Sequence, residues 1–159
     1  MLTAVNKLGY SLAAFCGTRR VLIADDERFT NDTNELILPT LVKCPPGDTL
    51  EISRADSFEE AEEALDSGEQ FDAVVTDGHY KSDKDSYIGS GDGDGLIIAK
   101  KAANKIGEQK VVLFSSDDSL KKPADNMGVH FIAKDYKKLS EVLTSILSKN
   151  SSAGLDVKV

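Results

Sequence analysis

Short apolar runs alternate along the chain with segments whose apolar residues recur at helical spacing. The runs predict five buried strands, because parallel strands that are covered on both faces are almost continuously apolar. These strands are Arg20–Ala24, Leu50–Arg54, Phe71–Asp77, Lys110–Ser115 and His130–Lys134. The amphipathic segments predict five helices, which are Thr30–Val42, Ser57–Leu65, Leu96–Ile106, Leu120–Met127 and Leu139–Leu147.

Local signals at the helix ends support this division. Ser57 and Glu60 have capping-box spacing, and Gly107 follows the third helix where a glycine often ends one. Pro39 weakens the first helix near its end. Alternating strands and helices require a parallel sheet with helices on both faces, and 159 residues suit one such domain.

The two ends of the chain stand apart from this pattern. Apolar residues between positions 2 and 15 recur at helical spacing, which favours an amphipathic helix, with a disordered leader as an equal alternative. A signal peptide is disfavoured because the apolar stretch is short. We therefore expect an N-terminal extension (1–18), one α/β domain (19–150) and a flexible tail (151–159).

Composition and charge argue against nucleic-acid binding and membrane association. The chain is 40% hydrophobic and 29% charged, which is typical of a folded protein, and its net charge of −8 argues against general binding to nucleic acid or to anionic membranes. No apolar run is long enough to span a membrane. Cys16 and Cys44 lack metal-ligand spacing and are interpreted as free thiols, so we expect a cytoplasmic protein.

Polar side chains occupy the carboxyl ends of four of the predicted strands. Asp25 and Asp26 follow the first strand, and the third, fourth and fifth strands end at Asp77, Ser115 and Lys134. In an open α/β sheet the active crevice lies beyond these ends. We therefore expect three carboxylates, a hydroxyl and an ammonium group to converge on one edge.

Together, these groups could form an aspartyl phosphate. Three carboxylates in one pocket repel each other unless a cation lies among them, and oxygen ligands favour Mg²⁺. Asp77 can then act as a nucleophile toward phosphorus. The cation and the Lys134 ammonium would neutralise the transferring oxygens, and the Ser115 hydroxyl would hydrogen-bond one of them.

Four segments resemble the signatures of bacterial response-regulator receiver domains, in order and in spacing. They are Val21–Glu27, Ala73–Asp77, Val111–Ser116 and Phe131–Lys134. The resemblance implies a flavodoxin-like, doubly wound, five-stranded parallel sheet of order 2-1-3-4-5. It implies a switch that is not an enzyme beyond its own phosphorylation and dephosphorylation. A sensor histidine kinase or phosphotransfer protein would phosphorylate Asp77, and an unknown downstream protein would receive the signal.

The same resemblance implies roles for individual residues. Mg²⁺ would be held by Asp26, Asp77 and the backbone carbonyl of His79, while Asp25 acts through water. Ser115 and Lys134 would contact the phosphoryl group. The aromatic ring whose rotamer follows the signal would be that of Phe131.

The sequence departs from the family pattern at two places. The loop after Asp77 is much longer than usual, and its glycines and charges predict a mobile, solvated segment from Tyr80 to Gly93. It lacks the spacing of a calcium-binding loop. Lys134 is followed by Asp135 where the family usually has proline, which predicts a trans peptide bond.

The sequence is also compatible with two other functions. One is a Mg²⁺-dependent phosphohydrolase with Asp77 as nucleophile, although haloacid-dehalogenase-type enzymes place a second aspartate where His79 stands. The other is a pseudo-receiver that binds partners without phosphorylation. The two histidines, His79 and His130, are interpreted as structural or loop residues rather than catalytic ones.

Overall fold

Five strands and five helices alternate along residues 17–80 and 93–149, which are the residues that this computed structural model describes. The strands are β1 (Thr18–Ala24), β2 (Thr49–Ala55), β3 (Ala73–Thr76), β4 (Val111–Phe114) and β5 (His130–Ile132). The helices are α1 (Arg28–Leu41), α2 (Phe58–Asp66), α3 (Asp94–Ile106), α4 (Lys121–Met127) and α5 (Tyr136–Lys149). Short 3₁₀ turns at Glu108–Lys110 and Asp118–Leu120 precede β4 and α4.

The strands form one parallel sheet in the order β2-β1-β3-β4-β5. The predicted flavodoxin-like architecture is therefore confirmed. In the register of the sheet, Ala24 lies opposite both Ala55 of β2 and Thr76 of β3. This register brings the residues that follow β1, β2 and β3 to the same edge of the sheet, and these residues include Asp25 and Asp77.

Side chains of each strand alternate between two hydrophobic cores, one on each face of the sheet. Leu22, Val74 and Leu113 pack with α2, α3 and α4 on one face. Val21, Ile23, Val75 and Phe114 pack with α1 and α5 on the other. Burial of each large apolar side chain contributes about 1.5–3 kcal/mol. The sheet that carries the acids at its edge is therefore covered on both faces.

The start of α2 follows its local signal, whereas α1, α3 and α5 begin two or three residues earlier than predicted. Glu60 N–H donates to the Ser57 hydroxyl at 3.1 Å, as the capping box predicts, although the Glu60 carboxylate accepts from Asp56 N rather than from Ser57. The first helix begins at Arg28 and contains Pro39 in its last turn. The described residues contain no cis peptide bond, so the predicted trans bond between Lys134 and Asp135 is confirmed.

The prediction of a solvated loop from Tyr80 to Gly93 is wrong at both of its ends. Tyr80 is buried in the core, with 8% of its surface exposed, and Gly93 is buried as well. The middle of that predicted loop, 81–92, lies outside the described residues. The predicted N-terminal helix and the predicted tail after residue 150 also lie outside them. No helix in the described ranges is long and apolar enough to cross a membrane.

Candidate functional site

Asp25, Asp26 and Asp77 form an acidic cluster at the carboxyl edge of the sheet. One carboxylate oxygen from each residue lies within 4.8 Å of the others. Asp25 and Asp26 follow β1, and Asp77 follows the neighbouring β3, so adjacent parallel strands produce the cluster. Carboxylate oxygens at this separation are a suitable donor set for a hard cation such as Mg²⁺. The three predicted carboxylates therefore fit Mg²⁺, the cation that the sequence implied.

Both oxygens of the buried Asp25 carboxylate are already engaged. Its Oδ1 accepts a hydrogen bond from Glu27 N at 2.8 Å, and its Oδ2 accepts one from Lys134 Nζ at 2.7 Å. The residue is only 2% exposed. A charge this deeply buried requires a paired partner, which the Lys134 ammonium supplies. Asp25 is thus a fixed charge at the back of the site.

Asp77 has one fixed oxygen and one unpaired oxygen. Its Oδ1 accepts from Gly78 N at 2.7 Å and lies 3.4 Å from Lys134 Nζ. Its Oδ2 has no hydrogen-bond or ion-pair partner among the described residues. Burial raises the pKa of Asp77, and the charge of Asp25 raises it further, while Lys134 and the Gly78 amide oppose these effects. The carboxylate is held in place and still has an oxygen that can react.

Lys134 lies between the two carboxylates that it contacts, just beyond β5. Burial alone would lower the pKa of Lys134, but the hydrogen bond to Asp25 and the charges of Asp77 and Asp25 outweigh burial and raise it. The amine is therefore protonated. Its Nζ also lies 5.3 Å from the ring centroid of Phe114, which restricts the cation from one side.

The Ser115 hydroxyl lies against the loop that follows Asp77. A Cβ placed on Gly78 would be 2.5 Å from Ser115 Oγ, so the hydroxyl almost touches the Gly78 backbone. Ser115 is 1% exposed, and its Oγ accepts a hydrogen bond from Asp117 N at 3.2 Å. Sequence reasoning placed Ser115 at this edge, and the structure brings its hydroxyl next to the residue that follows the predicted phosphoacceptor.

Tight backbone packing closes the base of the long loop after Asp77. Gly95 N donates to Gly78 O at 3.1 Å, which joins the start of α3 to the residue after Asp77. A Cβ on Gly95 would lie 1.8 Å from the Asp77 carbonyl oxygen, and one on Gly93 would lie 2.3 Å from that of Gly78. Only glycine allows this approach. These contacts join the start of α3 directly to the backbone that follows Asp77.

Two buried side chains that sequence reasoning missed support the site. The Asn31 amide donates to the carbonyl of Asp25 and, at 2.7 Å, to the Asp56 carboxylate, so it ties the acidic turn to the end of β2. The Tyr80 hydroxyl donates to the carbonyl of Ala24 at 3.0 Å and lies 2.8 Å from Thr76 Oγ1. No sequence pattern predicted either contact. Asn31 lies in an amphipathic helix and Tyr80 precedes a glycine-rich segment, and neither setting indicates a buried polar group.

The remaining predicted residues lie around this cluster. Phe131 is half-buried on β5 and packs against the core that contains Leu113. His79 directly follows Gly78, and its exposed ring contacts Asp117 at 2.8 Å. His130 lies at the start of β5, at the opposite edge of the sheet, where its ring contacts Gln109 O at 3.2 Å. The structure therefore places His130 away from the acidic cluster.

Comparison with known proteins identifies the fold. No protein-family model matches the chain, and no curated protein matches it either. Among solved structures, the response regulator protein TrrA from Thermotoga maritima, in complex with Mg²⁺ and beryllofluoride, is 20% identical; the match covers 81% of this chain and 99% of that chain with a TM-score of 0.61. A response regulator receiver protein from Sinorhizobium medicae is 22% identical, with 85% and 97% covered and a TM-score of 0.58.

A receiver domain from Francisella gives a similar result. It is 17% identical, the match covers 84% of this chain and 98% of that chain, and the TM-score is 0.59. These solved structures are covered almost from end to end, so one receiver-type unit accounts for the described sheet and its helices. The chain has the fold of response-regulator receiver domains.

Proposed function

We propose that this chain is a phosphoacceptor receiver domain of a two-component or phosphorelay system, formed by residues 19–150. One observation carries the proposal: the Gly78 amide fixes one oxygen of Asp77, and the other oxygen has no partner in the described part of the chain, beside a protonated lysine and two further carboxylates. A nucleophile, a charge-neutralising cation and a set of metal ligands thus meet at one point. A carboxylate that served only as a helix cap or a solvated acid would need none of these neighbours.

The proposed reaction uses the chain's own residues in distinct roles. Asp77 Oδ2 attacks phosphorus and forms an O–P bond, while the bond to the donor nitrogen or oxygen breaks and the leaving group keeps its electron pair. Gly78 N–H orients the carboxylate through Oδ1. The Lys134 ammonium, 3.4 Å from that oxygen, stabilises negative charge on the phosphoryl oxygens. The Ser115 hydroxyl is available to donate to one of them.

Mg²⁺ is the cofactor that this donor set fits. Asp26, Asp77 and the His79 carbonyl would hold it, with Asp25 acting through water. When bound, it neutralises the charge that develops on the transferring oxygens. Asp25 already accepts from Lys134 and Glu27, which is consistent with an indirect role toward the metal.

The proposal includes a conformational response. Ser115 and Phe131 extend from the same face of the sheet, since Leu113, two residues before Ser115, pairs with Phe131. When the Ser115 hydroxyl turns toward a phosphoryl group, it leaves space into which the half-buried Phe131 ring can move. Phosphate then biases two existing packings of the surface near α4, β5 and α5, and the affinity for a partner follows.

The proposed partners follow from this role. The phosphoryl donor is a sensor histidine kinase or a phosphotransfer protein in the cytoplasm, and output passes to a downstream protein through contact. Beyond its own phosphorylation and dephosphorylation the domain is a switch rather than an enzyme. The net charge of −8 supports a protein partner over a nucleic acid.

Incubation with Mg²⁺ and acetyl phosphate, followed by intact-mass measurement, tests the proposal. We expect the mass of one added phosphoryl group in the wild-type protein and none in the Asp77→Asn variant. Continuous release of phosphate over many turnovers would instead indicate a phosphohydrolase. No added mass in a folded wild-type protein would indicate a binding module without phosphorylation.

A further inference from the structure

We infer that the contact between His79 and Asp117 holds the two loops beside Asp77 in the arrangement of the unphosphorylated protein, and so regulates the proposed switch. This inference rests on the proposed function. His79 Nε2 lies 2.8 Å from Asp117 Oδ2. His79 belongs to the loop that follows β3, and Asp117 belongs to the segment that follows β4. We call His79 and Asp117 the cross-loop pair.

The Asp117 carboxylate is oriented by its own turn as well as by His79. Its Oδ1 accepts from Ser119 N at 2.9 Å, which caps the 3₁₀ turn that leads into α4, and its Oδ2 contacts His79. Hydrogen bonds to Ser119 and to His79 lower the pKa of Asp117 to about 2. The side chain therefore joins the entrance of α4 to the loop that carries Asp77.

One edge of the exposed His79 ring lies against Gly93. A Cβ on Gly93 would lie 3.1 Å from both Cε1 and Nδ1 of the ring, so the ring rests close to the Gly93 backbone. Gly93 in turn packs against the carbonyl of Gly78, directly after Asp77. The imidazole therefore lies between the Gly93 backbone on one side and the Asp117 carboxylate at its Nε2.

The cross-loop pair is connected to the Ser115 hydroxyl by one hydrogen bond. Asp117 N donates to Ser115 Oγ at 3.2 Å. If Ser115 turns toward a phosphoryl group on Asp77, its Oγ leaves Asp117 N, and we expect the 115–117 segment to adjust. Because the pair ties this segment to the loop after β3, it opposes a shift of one relative to the other. It therefore favours the unphosphorylated arrangement over the phosphorylated one.

The expected effect is modest because both side chains are exposed. Exposed pairs of this kind shift an equilibrium by about two- to fivefold. Loss of the pair should raise the affinity for a phosphate mimic by that factor, since the energy that opposes the bound arrangement is removed. A change of this size adjusts the sensitivity of a switch without disabling it.

The test is a calorimetric titration of beryllofluoride at saturating Mg²⁺ into five forms of the full chain. They are the wild type, His79→Ala, Asp117→Ser, the double variant, and His130→Ala as control. Serine retains the capping oxygen at position 117 but is too short to reach the imidazole. The His79 carbonyl is unchanged in the alanine variant. The control removes the other histidine, whose ring contacts Gln109 at the opposite edge of the sheet.

We expect each single variant to bind beryllofluoride about two to five times more tightly than the wild type, the double variant to match the single ones, and His130→Ala to be unchanged. Unchanged affinity in His79→Ala would overturn the inference. Weaker binding would also overturn it, because it would mean that the imidazole contacts the anion directly. Additive effects in the double variant would show that the two residues act separately.

Amide exchange in the unliganded protein tests the cross-loop pair even if the proposed function fails. Faster exchange at Asp117 and Ser119 in His79→Ala, but not in His130→Ala, is the expected result, and equal exchange would refute the pair. Absence of beryllofluoride binding in the wild type would count against the phosphoacceptor function alone. The two failures are therefore distinguishable.

Discussion

Gly95 lies in the first turn of α3, where an added methyl group would meet the backbone of the loop after Asp77. A Cβ at this position would lie 1.8 Å from the Asp77 carbonyl oxygen and 2.7 Å from Gly78 Cα. Both are main-chain atoms, so no rotamer change relieves the overlap. In Gly95→Ala either the start of α3 or the acceptor loop must move.

Two effects of Gly95→Ala on the free energy of unfolding have opposite signs, so the direction of the change shows which one dominates. Alanine in a helix is normally more stable than glycine by roughly 0.5–1 kcal/mol. Forcing extra volume into a packed site costs about 1–3 kcal/mol. The hydrogen bond from Gly95 N to Gly78 O lies at the point of overlap and would lengthen as well. We expect Gly95→Ala to lower the free energy of unfolding by about 1–2 kcal/mol.

Urea unfolding of the metal-free protein measures this change, with Asn104→Ala as the matched control. Asn104 is exposed on the same helix, so alanine there should be neutral or slightly stabilising. Gly95→Ala should also weaken Mg²⁺ binding, because the shift reaches the backbone of Asp77. A Gly95→Ala protein as stable as the wild type, with unchanged Mg²⁺ affinity, would refute the close packing inferred for this loop.

Three further substitutions test other parts of the account. The Asn34 side chain is 1% exposed, and neither polar atom of its amide has a hydrogen-bond partner among the described residues, so Asn34→Leu should raise the free energy of unfolding by about 1 kcal/mol in thermal denaturation. A lower free energy of unfolding would contradict an unsatisfied amide at this position. Burial and the charge of Asp25 raise the pKa of Asp77 above its ordinary value of 3.8. The folded protein therefore gains stability from protonated Asp77; this gain is fully present below pH 3.8 and is lost as the pH rises through the pKa of the folded state. Without Mg²⁺, Asp77→Asn should therefore unfold at a higher temperature than the wild type near neutral pH, and the difference should vanish toward acid pH; a difference independent of pH would exclude titration of Asp77 as its cause. Asp26→Ala should weaken the single Mg²⁺ site in a calorimetric titration, and unchanged affinity would remove Asp26 from the ligand set.

The pattern of apolar runs predicted the sheet because each strand is buried on both faces. Val21 and Leu22 enter opposite cores, yet both are apolar, so the run is visible without knowledge of its neighbours. The strand bounds were less accurate at β3, which begins at Ala73 although Phe71 is also apolar and buried. Pairing with the neighbouring strands sets where a strand begins, and that information is not local. The start of α1 was missed by two residues because Glu27 makes no side-chain cap.

The charged residues of the site were predictable from their positions at strand ends, whereas their supporting contacts were not. Asp25, Asp77 and Lys134 each follow an apolar run, and parallel strands must bring such positions to one edge. Tyr80 was assigned to solvent because the residues after it are glycines and charges, but its ring packs edge-on against Phe58 at 5.8 Å. The contact between His79 and Asp117 depends on how two loops meet in the folded chain, and no local sequence pattern predicts it.

Mapping the phosphorylated residue tests the central claim most directly. The protein would be treated with Mg²⁺ and acetyl phosphate, digested, and analysed by tandem mass spectrometry for the modified peptide. We expect phosphate on Asp77 in a Mg²⁺-dependent manner, with strong reduction in Lys134→Met, which lacks the ammonium beside the acceptor. Phosphate on another residue, or equal labelling of Asp77→Asn, would contradict it.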